Sequence, residues 1–248
     1  MTQTLEVVLS PAALRPSPRV PFTALDPDQR LELYRSAFSD WLDIVILSGK
    51  KLCIVETTGE SARTLLGDRE GEADFLSHEP DTSLEPLGKG ALESSALDAG
   101  MSFIAEQYGE QTTVHKVTGK LLVPNWRSVL KPIAVEEIRI RRSMDRGTCD
   151  TRVFTTSPAT WLTYFGDAFT ETNDVEGRYL EHVVGQRSIA AEYNSQTFRV
   201  SRFSAPPKIR GISGSDGKAY GGFNKDGLSN VLARIEKHIL PPFQRRMI

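Results

Sequence analysis

The first 56 residues hold an apolar stretch, an amphipathic stretch and a second apolar stretch, and this order limits the fold more than any other feature. Residues 5–9 predict a buried strand that ends at Ser10-Pro11, and residues 51–55 predict a second strand. Between them, Asp26-Pro27 is a typical helix start. Apolar residues then recur at helical spacing: Tyr34, Ala37, Phe38, Trp41, Leu42 and Val45. Strand, helix, strand is typical of an open α/β sheet, where ligands bind beyond the carboxyl ends of strands.

The rest of the chain continues this mixed α/β order. Residues 67–90 are acidic and interrupted by Gly and Pro, which predicts a surface loop with one short helical turn. A helix is predicted from Lys89, with one apolar face formed by Leu92, Ala96, Ala99 and Phe103. Strands are expected at 114–123, 137–141, 152–154 and 197–203, and helices at 158–169, 176–184 and 228–239. Since no linker or internal repeat divides the chain, we expect one domain over residues 1–248.

Composition excludes several classes of protein. The 30 Lys and Arg against 32 Asp and Glu give a net charge of -2, so no global positive field is available to hold nucleic acid. Cys53 and Cys149 lack the paired spacing of a zinc or redox site. No stretch approaches the about 18 apolar residues of a membrane span, and the first residues do not resemble an export signal. We therefore expect a cytoplasmic protein that meets any anionic ligand with local cations.

Two segments place a lysine beside a glycine where an element begins or ends. The residues concerned are Lys89, Gly90 and Glu93 in the first segment, and Lys116, Thr118, Gly119 and Lys120 in the second. Backbone N–H groups at a glycine can approach an anion closely, and the lysine adds a point charge. The alternative for each segment is a solvated end of a helix or strand. Ser10 and the turn after the second predicted strand lie at strand ends as well.

That turn, Glu56-Thr57-Thr58-Gly59, and the two lysine segments resemble the E-N-S-G, K-G-x-x-E and K-x-T-G-R patterns of a bacterial group of GT-A-type nucleotide-sugar glycosyltransferases. The resemblance extends from Leu5 to Leu240 and depends on the order and spacing of the patterns. It implies a GT-A-like (Rossmann-like) mixed sheet flanked by helices. It also implies a nucleotide-sugar donor, a glycan or lipid-linked hydroxyl acceptor, and a role in polysaccharide or glycolipid assembly. Nucleotide-binding and diphosphate-binding residues would be Ser10, Glu56, Thr57, Thr58, Gly59, Lys89, Gly90, Glu93, Lys116, Thr118, Gly119 and Lys120.

The chain departs from GT-A enzymes in the residues that would hold a metal. Their Asp-x-Asp motif is replaced by Thr118-Gly119-Lys120, and Lys120 lacks the planar fork of the arginine in the pattern. The interpretation we favour is metal-free, with Lys116 and Lys120 neutralising the leaving diphosphate. In the alternative, Mg²⁺ or Mn²⁺ binds through Asp150, which could equally be a turn residue or a salt-bridge partner.

The candidate general base lies in the segment 176–182. Inverting GT-A enzymes carry a carboxylate near the start of a helix that deprotonates the acceptor hydroxyl, and Glu181 is similarly placed. His182 is the rival base because its unperturbed pKa of about 6.5 is close to neutrality. Asp174 and Glu176 are further carboxylates nearby, and an ordinary polar helix surface is the alternative for Glu181 and His182. Trp161, Tyr164 and Phe165 are expected near the acceptor.

Two C-terminal features complete the predicted site. The Gly-rich segment 211–217 is expected to form a lid that closes on the diphosphate with Lys218; the alternative is a solvent turn. It is not a P-loop, because the spacing between its glycines is wrong and Ala219 lacks the hydroxyl that binds magnesium. The basic end of the last helix, with His238, Arg245 and Arg246, predicts peripheral contact with anionic lipid at the inner face of the membrane, or packing on its own domain.

The sequence thus predicts a nucleotide-sugar-dependent glycosyltransferase, with inversion at the transferred sugar. One alternative is a sugar-phosphate nucleotidyltransferase, although residues 10–16 after the first strand lack the glycines that such an enzyme needs. The other is a non-catalytic nucleotide-sugar-binding or scaffold protein, because the Asp-x-Asp carboxylates are missing.

Overall fold

The computed structural model describes residues 5–21, 25–144, 146–213 and 217–220. Its strands are β1 (Glu6–Ala12), β2 (Lys51–Glu56), β3 (Asp74–Ser77), β4 (Thr113–Val117), β5 (Leu121–Leu122), β6 (Glu137–Arg142), β7 (Cys149–Thr156), β8 (Arg199–Ser201), β9 (Arg210–Ile212) and β10 (Ala219–Tyr220). Its helices are α1 (Pro27–Ser48), α2 (Ala62–Leu66), α3 (Lys89–Tyr108), α4 (Trp126–Val129), α5 (Pro158–Tyr164) and α6 (Leu180–Asn194). Turns of 3-10 helix lie at Gly67–Glu72, Thr82–Leu87 and Ala168–Thr170.

Seven strands form one mixed sheet in the order β3-β2-β1-β4-β7-β6-β8, and β10-β9-β5 form a small second sheet. In the large sheet β1, β2, β3 and β4 run parallel, while β7 is antiparallel to both of its neighbours. Alternate residues of β1 face opposite cores: Val8 packs towards α1, and Leu9 packs towards α3, α5 and α6. The predicted fold class, a mixed α/β sheet flanked by helices, is confirmed.

Helix α1 follows the sequence prediction closely. The Asp26 side chain caps it by accepting hydrogen bonds from the N–H groups of Asp28 and Gln29, at 3.1 and 3.0 Å. Gly49 ends it in the left-handed conformation, with φ 66°. All six apolar residues predicted to face the core are buried, and Trp41 also donates its indole N–H to Leu121 O at 2.9 Å. One further residue shares this buried face, Arg30.

Strand β1 does not end at Ser10-Pro11 as predicted, but continues to Ala12. A proline normally disrupts a central strand because it has no N–H to donate. Here the pairing with β4 stops at Leu9, opposite Lys116, while the pairing with β2 continues as far as Ala12 opposite Glu56. Pro11 therefore lies beyond the ladder on one side, where its missing N–H costs nothing.

Three further boundaries differ from the prediction. Residues 67–90 contain the short edge strand β3 as well as 3-10 turns, so describing them as a loop was wrong. Helix α6 begins at Leu180, because residues 173–178 form a turn with Gly177 at φ 78°. It then runs through Gly185, where an added Cβ would lie 2.7 Å from Gly147 O, so this glycine allows close packing and does not end the helix.

Helix α3 begins at Lys89 as predicted, but a different face is buried. The residues that pack on the sheet include Ala91, Ala96, Leu97 and Gly100. Of the predicted face, only Ala96 is among them, and Leu92, Ala99 and Phe103 are half-buried. A Cβ at Gly100 would lie 2.8 Å from Leu9 Cδ1, so the small residues let this helix approach β1 closely. Among the described residues, no helix combines the length and apolar character needed to cross a bilayer. The predicted C-terminal helix lies outside the described residues.

Candidate functional site

A cavity of about 520 Å³ opens beyond the carboxyl ends of β1, β2 and β4. Pro11 and Ala12 line it from β1, Thr57 from the residue after β2, and Thr118 and Lys120 from the turn after β4. The first turn of α3, the beginnings of β7 and α6, and the small sheet form the other walls. This is the position expected for a ligand site in an open α/β sheet.

Of the fifteen residues predicted to be catalytic or to bind the nucleotide, seven line this cavity: Thr57, Lys89, Gly90, Glu93, Thr118, Lys120 and Glu181. The further carboxylate Asp174 lines it as well. Eight others are not part of its wall: Ser10, Glu56, Thr58, Gly59, Lys116, Gly119, His182 and Lys218. Most of these eight support or position the residues that are. The distinction separates groups that can touch a ligand from groups that hold the site in shape.

The turn after β2 is held together by the Glu56 carboxylate. It is buried and accepts hydrogen bonds from the N–H groups of Thr58 and Glu60, both at 2.9 Å, and from the Thr58 hydroxyl. Thr58 in turn accepts from Arg15 N at 3.1 Å, which fixes the segment after β1. Ser10 is also buried, and its hydroxyl donates to Val117 O at 3.0 Å across β1 and β4. These side chains position the cavity wall, and only Thr57 of this turn is part of it.

Lys116 lies within β4 with its side chain 0% exposed, and its ammonium is fully used by the protein. It forms a short ion pair with Glu93 of α3, donates to Thr118 Oγ1 at 2.9 Å, and donates to Thr151 O at 2.5 Å. Thr118 also donates to Glu93, at 3.2 Å. We call Glu93, Lys116, Thr118 and Thr151 the β4 network. It joins three elements of the cavity wall, and Lys116 itself does not line the cavity.

Lys120, four residues further on, is in a different state. It is 7% exposed, and its Nζ lies 5.4 Å from the centre of the Tyr34 ring. Within the described residues it has neither a hydrogen-bond acceptor nor a carboxylate partner. Burial lowers the pKa of the Lys120 ammonium to about 8, and the positive charges of Arg30 and Lys89 act in the same direction.

Arg30 of α1 is a residue that sequence reasoning missed. It is 2% exposed, lines the cavity, and donates one N–H to Ala13 O at 3.4 Å. Its Nε and second terminal nitrogen have no hydrogen-bond partner within the described part of the chain. The signal was present in the sequence, because Arg30 lies four residues before Tyr34 on the apolar stripe of α1. A charged residue on a buried stripe needs a partner or a function.

Gly119 explains how the turn after β4 brings Lys120 to this place. An added Cβ would overlap the Tyr34 ring and lie 2.5 Å from Pro11 O. The glycine therefore lets the turn pack directly against α1 and β1. Gly90 has a similar part at the start of α3, where a Cβ would lie 2.7 Å from Asp174 Oδ1 and 2.9 Å from Thr172 Cγ2.

The N-terminus of α3 is occupied by a carboxylate from a distant part of the chain. Asp174, which is 8% exposed and lines the cavity, accepts a hydrogen bond from Gly90 N at 2.9 Å. Burial raises the pKa of Asp174, while its hydrogen bond from Gly90 and the charge of Lys89 act against that rise. The backbone N–H that the sequence analysis offered to an anion is thus already used inside the protein.

Glu181 lies in the first turn of α6 and lines the cavity beside the β4 network. Its Oε1 accepts the Thr151 hydroxyl at 2.9 Å. Burial raises the pKa of Glu181, which makes the ionised carboxylate a better proton acceptor. The neighbouring His182 lies outside the cavity wall, and its Nδ1 accepts from Tyr179 N at 3.2 Å in a capping box.

Asp150 is bound by Arg152 at both carboxylate oxygens, at 2.7 and 2.6 Å. Burial opposes its ionisation, but these bonds outweigh that effect and lower the pKa of Asp150. Both carboxylate oxygens are thus engaged by Arg152, and the side chain does not line the cavity. The described residues contain no group of three or more His, Cys, Asp or Glu that could hold a metal ion. Binding of Mg²⁺ or Mn²⁺ through Asp150 stays a prediction for chelation experiments.

The segment predicted to form a lid contributes the small sheet. Strands β9 and β10 pair antiparallel, and β9 also pairs with β5, directly after Lys120. Ile212, Ser213 and Tyr220 line the cavity, whereas Lys218 is exposed and lies outside its wall. Residues 214–216, and with them the tip of the predicted lid, lie outside the described residues.

Two of the aromatic residues predicted near the acceptor lie in the hydrophobic core. Trp161 and Phe165 are completely buried, and Trp161 stacks on Phe154 with ring centroids 5.0 Å apart. Placing these two rings at the acceptor was wrong, because they belong to the core beneath α5. Tyr34, Tyr179 and Tyr220 are the aromatic residues that line the cavity, and the sequence analysis selected none of them for this role.

Comparison with known proteins adds little beyond the fold. No protein-family model and no curated protein matches the chain. A candidate nucleotide-diphospho-sugar transferase of Desulfovibrio desulfuricans G20 aligns at a TM-score of 0.49 with 12% identity, over 81% of this chain and 80% of its own. A 4-diphosphocytidyl-2C-methyl-D-erythritol synthase aligns at 0.39 with 11% identity, over 94% and 100%. Similarity at this level assigns neither a family nor an activity.

Proposed function

We propose that the chain is a glycosyltransferase that moves a sugar from a nucleoside-diphosphate sugar to a hydroxyl acceptor. One observation carries this proposal. A single cavity at the expected end of the sheet combines buried cations, Lys120 foremost, with the carboxylate of Glu181. Positive groups suit a diphosphate leaving group, and a carboxylate with a raised pKa suits proton removal from a hydroxyl.

In the proposed reaction, Glu181 accepts the proton of the acceptor hydroxyl as the hydroxyl oxygen attacks the anomeric carbon. The bond from that carbon to the phosphate oxygen breaks, and the nucleoside diphosphate leaves with the electron pair. Attack opposite the leaving group inverts the anomeric centre. Lys89 and Lys120 stabilise the developing negative charge. Lys116 acts indirectly, because its ion pair with Glu93 positions the strand end and the start of α3.

In this proposal the cations fulfil the role that a divalent metal has in enzymes with an Asp-x-Asp motif. It is supported by the ion pair of Asp150 with Arg152, which commits the one carboxylate that the sequence offered to a metal. Activity that survives EDTA is the expected result. Loss of activity in EDTA, restored by Mg²⁺ or Mn²⁺, would contradict the metal-free version.

The function is tested with a panel of nucleotide sugars. Thermal-shift measurements with UDP, GDP, CDP, dTDP and CMP identify the base, since a ligand at 100 times its Kd stabilises a protein by about 2.7 kcal/mol. Donor hydrolysis, and transfer to glycan and lipid-linked acceptors, are then measured with the matching sugars. If none of the five nucleotides shifts the unfolding temperature, the proposal is overturned.

The same panel distinguishes the alternatives. A sugar-phosphate nucleotidyltransferase would release pyrophosphate from a nucleoside triphosphate and a sugar phosphate, and a binding or scaffold protein would bind nucleotide without turnover. The glycosyltransferase is favoured over the nucleotidyltransferase because the cavity wall at the end of β1 and just beyond it, with Pro11, Ala12, Ala13 and Pro16, contains no glycine loop to cradle a triphosphate.

A further inference from the structure

We infer that Arg30 and Lys120 together form a phosphate-binding subsite at the side of the cavity next to α1, and that a phosphate of the donor lies there and not at the N-terminus of α3. We call this pair the phosphate subsite. The inference deepens the proposed function and depends on it for the identity of the ligand.

Arg30 provides the first line of evidence. Its guanidinium is almost fully buried, yet Nε and one terminal nitrogen have no acceptor in the described part of the chain. Burying unpaired N–H donors on a charged group is costly, and native proteins pair such groups or use them. Arg30 also lines the cavity, and the planar fork of its guanidinium matches two oxygens of a phosphate.

Lys120 provides the second line of evidence, and it comes from a different part of the fold. Its ammonium lies over the Tyr34 ring, and Tyr34 and Arg30 are one helical turn apart on α1. The two cations are close enough to influence each other electrostatically. Two like charges buried side by side repel, so a bound anion would remove the repulsion and supply the missing acceptors together.

No carboxylate in the described part of the chain forms an ion pair with Arg30 or Lys120. Glu93 is committed to Lys116 and Thr118, and Glu56 is occupied by the N–H groups of its own turn. Asp174 is bound to Gly90 N at the start of α3. Within the described residues the protein therefore holds two buried cations without an ion-pair partner beside the cavity, and Glu93 acts on Lys120 only as a nearby charge.

The same arrangement argues against the N-terminus of α3 as the phosphate site. Asp174 accepts the Gly90 N–H there, so a phosphate would meet a carboxylate in place of free N–H groups. The donor phosphates are better accommodated at Arg30 and Lys120. The carboxylates Asp174 and Glu181 then face the sugar and acceptor part of the cavity.

The test uses the full chain and two variants, Arg30→Met and Lys120→Met, which keep most of each side chain's volume. Affinity for inorganic pyrophosphate and for the five nucleotides is measured by calorimetry, and thermal unfolding is measured without ligand. We expect each variant to weaken pyrophosphate and nucleoside-diphosphate binding about tenfold to a hundredfold. Removing an unpaired buried charge should also raise the unfolding midpoint without ligand, by roughly 2–4 °C.

The opposite directions of the two effects exclude a merely structural role, which would lower stability and affinity together. Lys131→Met removes an exposed cation outside the cavity and should change neither quantity. Arg30→Lys should recover part of the affinity. If Arg30→Met does not fold, Lys120→Met alone decides.

The outcomes separate the inference from the proposed function. Wild-type affinity for nucleoside diphosphate in the folded Met variants would overturn the phosphate subsite and leave the transferase proposal standing. Pyrophosphate binding that depends on Arg30 and Lys120, without binding of any nucleotide, would support the subsite and overturn the transferase. Binding of neither pyrophosphate nor nucleotide by the wild type would overturn both.

Discussion

Two lysines four residues apart occupy opposite situations in this protein. Lys116, in the β4 network, is completely buried and has a carboxylate, a hydroxyl and a carbonyl oxygen as partners. Lys120, in the phosphate subsite, is nearly as buried and lies only over an aromatic ring. Both belong to the K-x-T-G-K segment that the sequence analysis treated as one anion site.

The difference shows how burial of a charge can serve two purposes. A buried cation with a full set of partners fixes the relative position of strands and helices, here β4, α3 and β7. A buried cation without partners is an energetic cost for the empty protein, which a ligand of opposite charge can offset. The β4 network therefore shapes the site, and the phosphate subsite interacts with the ligand.

The largest expected effect comes from Glu181, at the edge of the β4 network. Glu181→Gln removes the proposed base but keeps an acceptor for the Thr151 hydroxyl. We expect turnover to fall by about 10²–10⁴-fold with donor affinity unchanged. Single-turnover kinetics and calorimetry with the donor measure the two quantities. His182→Asn is the control for the rival base and should keep most of the wild-type turnover; near-normal turnover in Glu181→Gln would remove Glu181 from the mechanism.

The second prediction contrasts the two lysines directly. Lys116→Met leaves Glu93 and Thr151 O without their shared partner, and breaking a buried pair in this way should lower the free energy of unfolding by about 3 kcal/mol. Lys120→Met removes a charge that has no partner to lose and should not destabilise the protein. Urea unfolding of both variants measures the contrast. Equal destabilisation would show that Lys120 is a structural cation too.

The third prediction uses the lowered pKa of Lys120, which is about 8. Below that pH the ammonium binds the anion; as pH rises through 8 the amine becomes neutral, so nucleoside-diphosphate affinity should fall by up to about tenfold per pH unit. The charged groups facing Lys120 are Arg30, Lys89 and Glu93, and Tyr34 covers it, with the pKa of that phenol raised by burial. Calorimetry between pH 7 and 9.5 tests this, and Lys120→Met should lose the dependence in that range.

The same protonation has an effect of the opposite sign on the stability of the empty protein. Because the folded pKa of Lys120 is lowered, the unfolded chain binds more protons between about pH 8 and 10.4. Wild-type stability should therefore rise relative to Lys120→Met as pH increases through this window. A flat difference between the two proteins would indicate that the Lys120 ammonium is not buried in solution.

The elements of the fold were predictable where the signal is local. The Asp26 cap, the Pro27 start and the apolar stripe of α1 lie within one helix, and they were identified correctly. Strand β3 was missed because its four residues form a strand only through pairing with β2. The buried face of α3 contains Leu97, Met101 and Ile104 at helical spacing, so its hydrophobic signal was present but was assigned to a neighbouring face. The close contact of Gly100 with Leu9 could not be read from the sequence.

The candidate site was predictable as a location but not as a set of contacts. Strand-end positions placed Thr57, Thr118 and Lys120 at the cavity. Which groups are already paired depends on contacts between segments that are distant in the sequence. Glu93 pairs with Lys116 across 23 residues, and Asp174 accepts the Gly90 N–H across 84. The position of Arg30 on the apolar stripe of α1 was visible in the sequence, but its place beside Lys120 depends on the packing of the turn after β4 against α1.

The smallest expected effect tests how the β4 network tunes Glu181. The Thr151 hydroxyl donates to the Glu181 carboxylate and so partly counteracts the rise in pKa that burial causes. Thr151→Val removes this bond at nearly constant volume, so the pKa of Glu181 should rise further. With a hydrogen bond worth about 1 kcal/mol, the acid limb of the kcat/KM profile should move about 0.7 pH unit upwards. A base must be ionised to act, so turnover falls at low pH and changes little above the shifted limb. An unshifted limb would mean that another group titrates, and a similar loss of turnover at every pH would mean that Thr151 acts only on the position of Glu181.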